Sequence, residues 1–423
     1  MFEIQGLGGA AVLEGEIRVS GAKNAALPAL ASTVLFSTPV TLTGIPVIED
    51  IHRTKEMIQA LGGQVDSEAE GTLRVSIPDT TRPDLTGEIA KRMRASVIFT
   101  GPLLARFKEV RFPHPGGCVI GPRPIDMFLE AYERMGAQVK VEDGSYCISA
   151  PEGLHGAEIF FRQQSVTGTE ALMMAAVLAR GTTVIRNAAM EPEIGNVAEF
   201  LRANGAVIDG AGSSTIRIEG GNLLTASTEY HCIPDRIEAG SFLILAALAG
   251  KKIKISHIIP EHIHALCYEL IRAGVPLVFG KDYVEVSARP GSYSSVNIKT
   301  HEYPGFPTDL QAPMLIFLTQ AHGEGFVFET VFENRLNYTE ELVRMGADIS
   351  VFNPHQALVR GSRPLRAREL ESPDIRAGLA FVIAASIAHG TSLVHNVYYI
   401  DRGYEHIEAR LSALGLSITR KTQ

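Results

Sequence analysis

Met135-Gly136-Ala137-Gln138-Val139 recurs along this chain, and its recurrence decides the architecture. Its counterparts are Leu61-Gly62-Gly63-Gln64-Val65, Asn204-Gly205-Ala206-Val207-Ile208, Ala273-Gly274-Val275-Pro276-Leu277, Met345-Gly346-Ala347-Asp348-Ile349 and Leu414-Gly415-Leu416-Ser417-Ile418. The glycines stand 74, 69, 69, 72 and 69 residues apart, which makes the chain six copies of one unit. Each glycine is placed to end an amphipathic helix, where a left-handed residue without a Cβ is cheap, and to lead into a strand.

The segment before each glycine repeats as well. In the third unit it reads as an apolar helix from Thr169 to Ala179, a β-branched strand from Thr182 to Arg186 and an amphipathic helix from Ile194 to Ala203. The first helix of a unit is apolar nearly all round, as in Phe242 to Ala249 and Gly378 to Ala388, and so must be buried; the second keeps a polar face for solvent. A period this long exceeds that of solenoid repeats, so the units assemble into compact domains, most simply two groups of three dividing near residue 230.

Composition narrows the function. With 423 residues, 45% hydrophobic and 20% charged, the chain reads as a soluble globular protein of two or three domains. Its 39 Lys and Arg against 47 Asp and Glu give a net charge of −8, which argues against a broad nucleic-acid surface but leaves room for a local cationic pocket. Cys118, Cys147, Cys232 and Cys267 form no CxxC pair, so neither a zinc cluster nor a disulfide framework is expected, and a reducing cytoplasm fits. Residues 1–5 do not read as a signal peptide. The longest apolar runs, Leu172 to Ala179 and Phe242 to Ala249, are far shorter than the ~18 residues a membrane span needs.

Chemistry has a few places to sit. Pro113 to Pro124 holds four prolines and three glycines in twelve residues, so it is a loop. Within it Cys118 is the only cysteine outside a periodic apolar pattern. A lone cysteine is commonly a small buried hydrophobe, but Arg111, His114 and Arg123 nearby favour a reactive thiol, as proton donor or nucleophile. Lys23, in Ser20-Gly21-Ala22-Lys23-Asn24, is either a solvated side chain or an anion ligand at a helix N-terminus. Arg94 opens an apolar helix and needs a partner, a structural carboxylate or a bound anion; Arg376 holds the equivalent place in the sixth unit, and Arg402 lies in the turn before the last outer helix. Asp309 precedes an apolar helix, Leu310 to Leu318, and is either its N-cap or a general base. The polar run Glu329 to Arg335 suits the lip of a pocket.

Three motifs are set aside. Gly6 to Ala11 imitates a dinucleotide fingerprint but leads into the strand-like Glu16-Ile17-Arg18-Val19. His262-Ile263-His264 lacks further ligands at zinc spacing and reads as a surface helix pair. No Walker A sequence occurs.

These residues, taken together, resemble the enolpyruvyl transferases, and among them those that act on UDP-N-acetylglucosamine and begin peptidoglycan precursor synthesis. The resemblance runs essentially end to end. It is carried by Gly21 to Ala25, Arg94-Ala95-Ser96, Pro115 to Cys118 through Arg123 to Asp126, Pro234 to Glu238, Phe306 to Asp309, Thr330 to Arg335 and Ile400 to Tyr404. It implies an α/β protein of two inside-out α/β barrel domains, each of three repeats of about 70 residues. The N-terminal domain would be 24–231 and the C-terminal domain 1–23 with 232–423, with the site in a cleft between them that closes under the Cys118 loop.

The resemblance also implies roles. Lys23, Arg123 and Arg402 would hold phosphoenolpyruvate, with Arg376 near its carboxylate. Cys118 would protonate the methylene carbon, and can also form a covalent adduct with the enolpyruvyl group. Asp309 would accept the proton of the sugar 3-hydroxyl. Nucleotide-sugar contacts carried over are Asn24, Arg94, Arg123, Pro124, Ile125, Asp126, Met127, Ser165, Val166, Asp309 and Val331, with Arg335 also binding substrate. No metal or other cofactor is implied, and the partners are these small molecules, with neither nucleic acid nor membrane insertion. An accessible Cys118 would react with the epoxide antibiotic fosfomycin. Family members often carry Trp where Ile98 stands and His where Phe128 stands, and read Ser-Val-Gly-Ala-Thr where this chain has Ser165-Val166-Thr167-Gly168-Thr169. These departures touch the nucleotide side, which leaves two alternatives: an enolpyruvyl transferase with another nucleotide or sugar acceptor, or a catalytically silent regulatory paralogue.

Overall fold

The computed structural model describes residues 1–87, 94–114 and 125–421, with only the backbone of Arg94. Among these residues the strands form six sheets, five of four strands and one of three. One arrangement underlies them. Thr182–Arg186 has Glu158–Phe160 parallel on one side and Thr215–Glu219 antiparallel on the other, with Val207–Asp209 at the far edge. Tyr230–His231, Val40–Thr43, Thr72–Ser76 and Gln64–Ala69 follow the same order, as do Ile298–Lys299, Gly323–Phe328, Gln356–Gly361 and Asp348–Asn353. In the three-stranded sheet, Glu109–Pro113, Ser145–Ser149 and Gln138–Glu142, the parallel neighbour is reduced to a bridge between Asp84 and Arg111.

The other two sheets are completed by the start of the chain. Leu13–Arg18 lies parallel to Gly250–Ser256, with Ile17 opposite Ile255. Phe2–Gln5 is antiparallel to both Thr391–His395 and Ile418–Arg420. In that last sheet Phe2–Gln5 lies between Thr391–His395 and Ile418–Arg420 and joins them.

All six repeat glycines have positive φ, between 91° and 106°, and each ends an amphipathic helix as its spacing predicts. The apolar helices begin earlier than their hydrophobic runs suggest. Val166–Val177, Arg236–Ala249 and Ile375–Ile387 each start at a side-chain cap, Ser165, Asp235 and Asp374, which accepts backbone N–H groups of the first turn. Arg94 does not open an α-helix: Arg94–Phe99 is a 3-10 turn, and the α-helix is Thr100–Phe107. Pro102 has no N–H to donate to the Ile98 carbonyl, so one α-helical hydrogen bond is missing where the 3-10 turn meets the α-helix.

The chain divides into two compact units. One is Met1–Ser20 with the chain from Pro234 onward, and the other the described chain from Gly21 to Ile233. Each has its own hydrophobic core. In the first, Arg236–Ala249, Gln311–Gln320 and Ile375–Ile387 are buried on nearly every side and pack on one another. In the second, Lys23–Ser32, Arg94–Phe107 and Val166–Val177 do the same. The start of the chain is tied into the first unit by charge. Glu238, fully buried, accepts from the Ser20 N–H at 2.9 Å and pairs with Arg410, which donates to the Arg18 carbonyl at 2.6 Å.

Among the described residues no helix is long and apolar enough to cross a membrane. His262 lies in a 3-10 turn, Pro260–Ile263, and His264 starts the helix His264–Arg272, so the two do not share one helix.

Candidate active site

The first unit gathers three of the singled-out residues. Asp309 sits in a 3-10 turn, Thr308–Leu310, that leads into Gln311–Gln320. It is not the N-cap of that helix. Its carboxylate is taken by two arginines: Arg376 donates from Nε and Nη2 to Oδ2 at 2.9 and 2.8 Å, and Arg335 from Nη2 to Oδ1 at 2.8 Å. The guanidinium of Arg376 meets one oxygen with two N–H groups, and its backbone N–H is held in the first helical turn by the Asp374 cap at 2.7 Å. Arg376 also donates to the Tyr404 hydroxyl at 2.9 Å.

Both arginine side chains are almost closed to solvent, at 5% and 8%, whereas Asp309 keeps 25% of its side chain open. Burial pushes the Asp309 carboxyl upward, but Arg376 and Arg335, with Arg236 behind them, outweigh it and hold the group well below the usual carboxylate range. Burial likewise drives the Tyr404 phenol up to about 12 against the pull of Arg376, so it remains an –OH at neutral pH. Val331 is half-buried and its N–H donates to Glu329 at 2.8 Å. Arg402 is half-buried at the end of the short helix Tyr398–Asp401.

In the second unit, Lys23 is the first residue of Lys23–Ser32 and is buried, which removes the solvated reading; its Nζ lies 2.6 Å from Oδ2 of Asp50, itself buried. Asn24 beside it is half-buried. Asp126, exposed in the first turn of Asp126–Arg134, accepts from Arg162 at 2.8 Å, while Ile125 is buried and Met127 half-buried. Ser165 caps Val166–Val177 by accepting the Gly168 N–H at 3.1 Å. Cys118, Arg123, Pro124 and the Arg94 side chain lie outside the described residues.

Two of the sequence departures turn out to be one packing event. A Cβ at Gly168 would stand 2.6 Å from the Phe128 ring and 3.1 Å from Phe161, and both rings are buried. Phe128 therefore requires glycine at 168. In an ordinary helix Gly→Ala is stabilising; here Gly168→Ala should lower stability by about 1–3 kcal/mol, and adding Phe128→Leu should restore most of it. Urea denaturation of the three proteins checks this, and a neutral or stabilising Gly168→Ala would refute it.

Four members of the Asp309 cluster lie in stretches the sequence singles out but carry no assigned role there. Tyr404 lies two residues beyond Arg402, Thr308 adjoins Asp309, Glu329 starts the polar run, and Arg236 follows the Asp235 cap, its guanidinium 5.6 Å from the Tyr303 ring. The stretches are marked in the sequence, but nothing within them shows which of their polar side chains turns toward Asp309.

The protein is thus a mixed α/β chain of repeated helix-and-sheet units in which two buried guanidinium groups hold a carboxylate that keeps a quarter of its side chain open. A crystal structure of the enolpyruvyl transferase NikO from Streptomyces tendae superimposes with TM-score 0.88 over 100% of this chain and 99% of that one, at 22% identity. EPSP synthase from Acinetobacter baumannii gives 0.72 at 17% identity, over 99% of each chain. At those identities the likeness is one of fold. The sequence profile of EPSP synthase (3-phosphoshikimate 1-carboxyvinyltransferase) matches residues 8–411, and the chain belongs to that enolpyruvyl transferase family. Among curated relatives, UDP-N-acetylglucosamine 1-carboxyvinyltransferase of Helicobacter acinonychis is 42% identical, covering 96% of each chain. The protein of the same name from Acidobacterium capsulatum is 45% identical over 96% of this chain and 94% of its own.

Proposed function

We infer that this chain transfers the enolpyruvyl group of phosphoenolpyruvate to the 3-hydroxyl of UDP-N-acetylglucosamine, releasing inorganic phosphate, as a step of peptidoglycan precursor synthesis. The observation that carries this is the 42–45% identity, over nearly the whole of both chains, to transferases named for that reaction. The reading is supported by the presence of every side chain the reaction needs: Lys23, Cys118, Asp309, Arg376 and Arg402.

In this reading Lys23, Arg123 and Arg402 hold the phosphate ester and Arg376 and Arg335 face the carboxylate. The Cys118 thiol gives a proton to the methylene carbon, C2 becomes oxocarbenium-like, and the sugar 3-hydroxyl adds to it while its proton passes to Asp309. The Cys118 thiolate then takes a proton back from the methyl carbon, the C2–O bond to phosphate breaks, the phosphate leaves with the proton that Asp309 had taken, and the enol ether is restored. Asp309 is a poor base while two guanidinium groups hold it. A substrate carboxylate is the competing partner for those groups, so substrate binding itself frees the base. The nucleotide sugar is met by Asn24, Arg94, Ile125, Asp126, Met127, Ser165, Val166 and Val331. Guanidinium groups concentrated at one site outweigh the overall charge of −8 because the local field dominates in a low-dielectric pocket. The finer architecture, two inside-out barrels of three repeats each, is supported by the three mutually packed helices and three sheets of each unit, whose boundaries fall at Ser20/Gly21 and Ile233/Pro234, within about three residues of the 24–231 division.

Phosphate release from mixed phosphoenolpyruvate and UDP-N-acetylglucosamine tests the activity, and no release at micromolar protein would end it. Replacing Cys118 by serine should abolish turnover and fosfomycin sensitivity while calorimetry still detects UDP-N-acetylglucosamine binding. Retained turnover would remove the thiol from the mechanism.

A further inference from the structure

Glu329 follows the strand Gly323–Phe328 and is completely buried. A buried carboxylate persists only with its oxygens fully satisfied. Here Oε1 accepts from the Thr300 hydroxyl at 3.0 Å and from the backbone N–H groups of Val331 and Phe332 at 2.8 and 3.2 Å; Oε2 accepts from the Thr308 hydroxyl at 2.9 Å. The Glu329 backbone is pinned as well, its N–H donating to the His355 carbonyl and its carbonyl accepting from His355 Nδ1, each at 2.8 Å.

These donors are not scattered. Val331 and Phe332 belong to the loop proposed to meet the sugar, and Thr308 is the residue before Asp309. The Thr308 oxygen also accepts from Nη1 of Arg335 at 3.1 Å, and the other end of that guanidinium holds Asp309 at 2.8 Å. A carboxylate only accepts, so the Thr308 hydroxyl must donate toward Glu329 and turn its lone pairs to Arg335. The carboxylate of Glu329 thus fixes the Thr308 hydroxyl proton and leaves the lone pairs of that oxygen to Arg335, whose guanidinium donates to both Thr308 and Asp309.

We propose that Glu329 is a positioning residue of the transfer reaction, orienting Arg335 and Asp309 through the Thr308 hydroxyl while anchoring the Val331 loop. The proposal rests on the enolpyruvyl transfer inferred above. Glu329→Gln separates the two functions. Its amide oxygen must stay with the two backbone N–H groups and Thr300, which puts the –NH2 against Thr308. That hydroxyl oxygen is then shared by two donors and its own proton has no acceptor, so the hold on Arg335 is weakened while the loop stays anchored.

Steady-state kinetics on the full chain, varying each substrate in turn, should show kcat/KM for phosphoenolpyruvate reduced on the order of tenfold to a hundredfold in Glu329→Gln. The KM for UDP-N-acetylglucosamine should stay within about twofold, because the loop it meets is unmoved. Thr308→Val should match that loss, Thr308→Ser should recover to within about threefold of wild type, and Glu329→Gln with Thr308→Val should be no worse than either alone. A Glu329→Gln enzyme with unchanged kinetics would overturn the proposal. So would additive losses in the double variant, or losses that fall equally on both substrates in step with melting temperature. A wild-type protein that releases no phosphate would instead overturn the underlying activity, so the two failures are distinct.

Discussion

Replacing Asp309 by asparagine is expected to lower turnover by about three orders of magnitude, within the range that a positioned general base contributes. The substitution keeps the shape of the side chain and removes its charge. Arg335 and Arg376 then lose the carboxylate that occupies them in the absence of ligand. If that carboxylate and the substrate carboxylate compete for the same guanidinium groups, phosphoenolpyruvate should bind Asp309→Asn more tightly than it binds the wild type, even though turnover is lost. Phosphate release measures the first effect and titration calorimetry the second. Turnover within tenfold of wild type would refute the base. Weaker phosphoenolpyruvate binding would mean that Asp309 organises the arginines for the substrate rather than standing in its place.

The second large effect is on stability. Arg376→Met removes a buried guanidinium that makes two hydrogen bonds to Asp309 and one to Tyr404. Breaking a buried pair typically costs 3–5 kcal/mol; with Asp309 a quarter open and Arg335 still beside it, about 3 kcal/mol is expected. The pH dependence follows from the sign of the shift. Asp309 has its folded-state pKa depressed below the ordinary 3.8, so the stabilisation is complete above that value and is lost as pH falls through the depressed one. The gap in unfolding free energy between wild type and Arg376→Met should therefore be flat from neutral pH down to about 4 and narrow below it. Urea denaturation at a series of pH values checks this, and a gap that widens on acidification would contradict the pairing.

Much of the architecture could be read without coordinates because it is written in local signals. The six glycines each end a helix in the left-handed region, and Thr182–Arg186 is a strand where β-branched residues predicted one. The apolar helices are buried as their lack of a polar face required. Helix type and exact ends are less legible: the helix that Arg94 opens begins as a 3-10 turn and becomes α only at Thr100, and the caps Ser165, Asp235 and Asp374 extend helices beyond their apolar runs.

The candidate site was legible only as a set of side chains. Sequence alone determined the repeat, the secondary structure and which residue types are available for anion chemistry, because helix ends, turns and amphipathic periods depend on neighbours a few positions away. Tertiary structure decided that Asp309 faces Arg376 rather than capping its own helix, that Lys23 is buried on Asp50, that Phe128 demands glycine at 168, and that the first strand completes the last sheet. Each of those is a contact between residues tens to hundreds of positions apart. Such a contact is settled by which side chains burial forces together, and no local pattern encodes it.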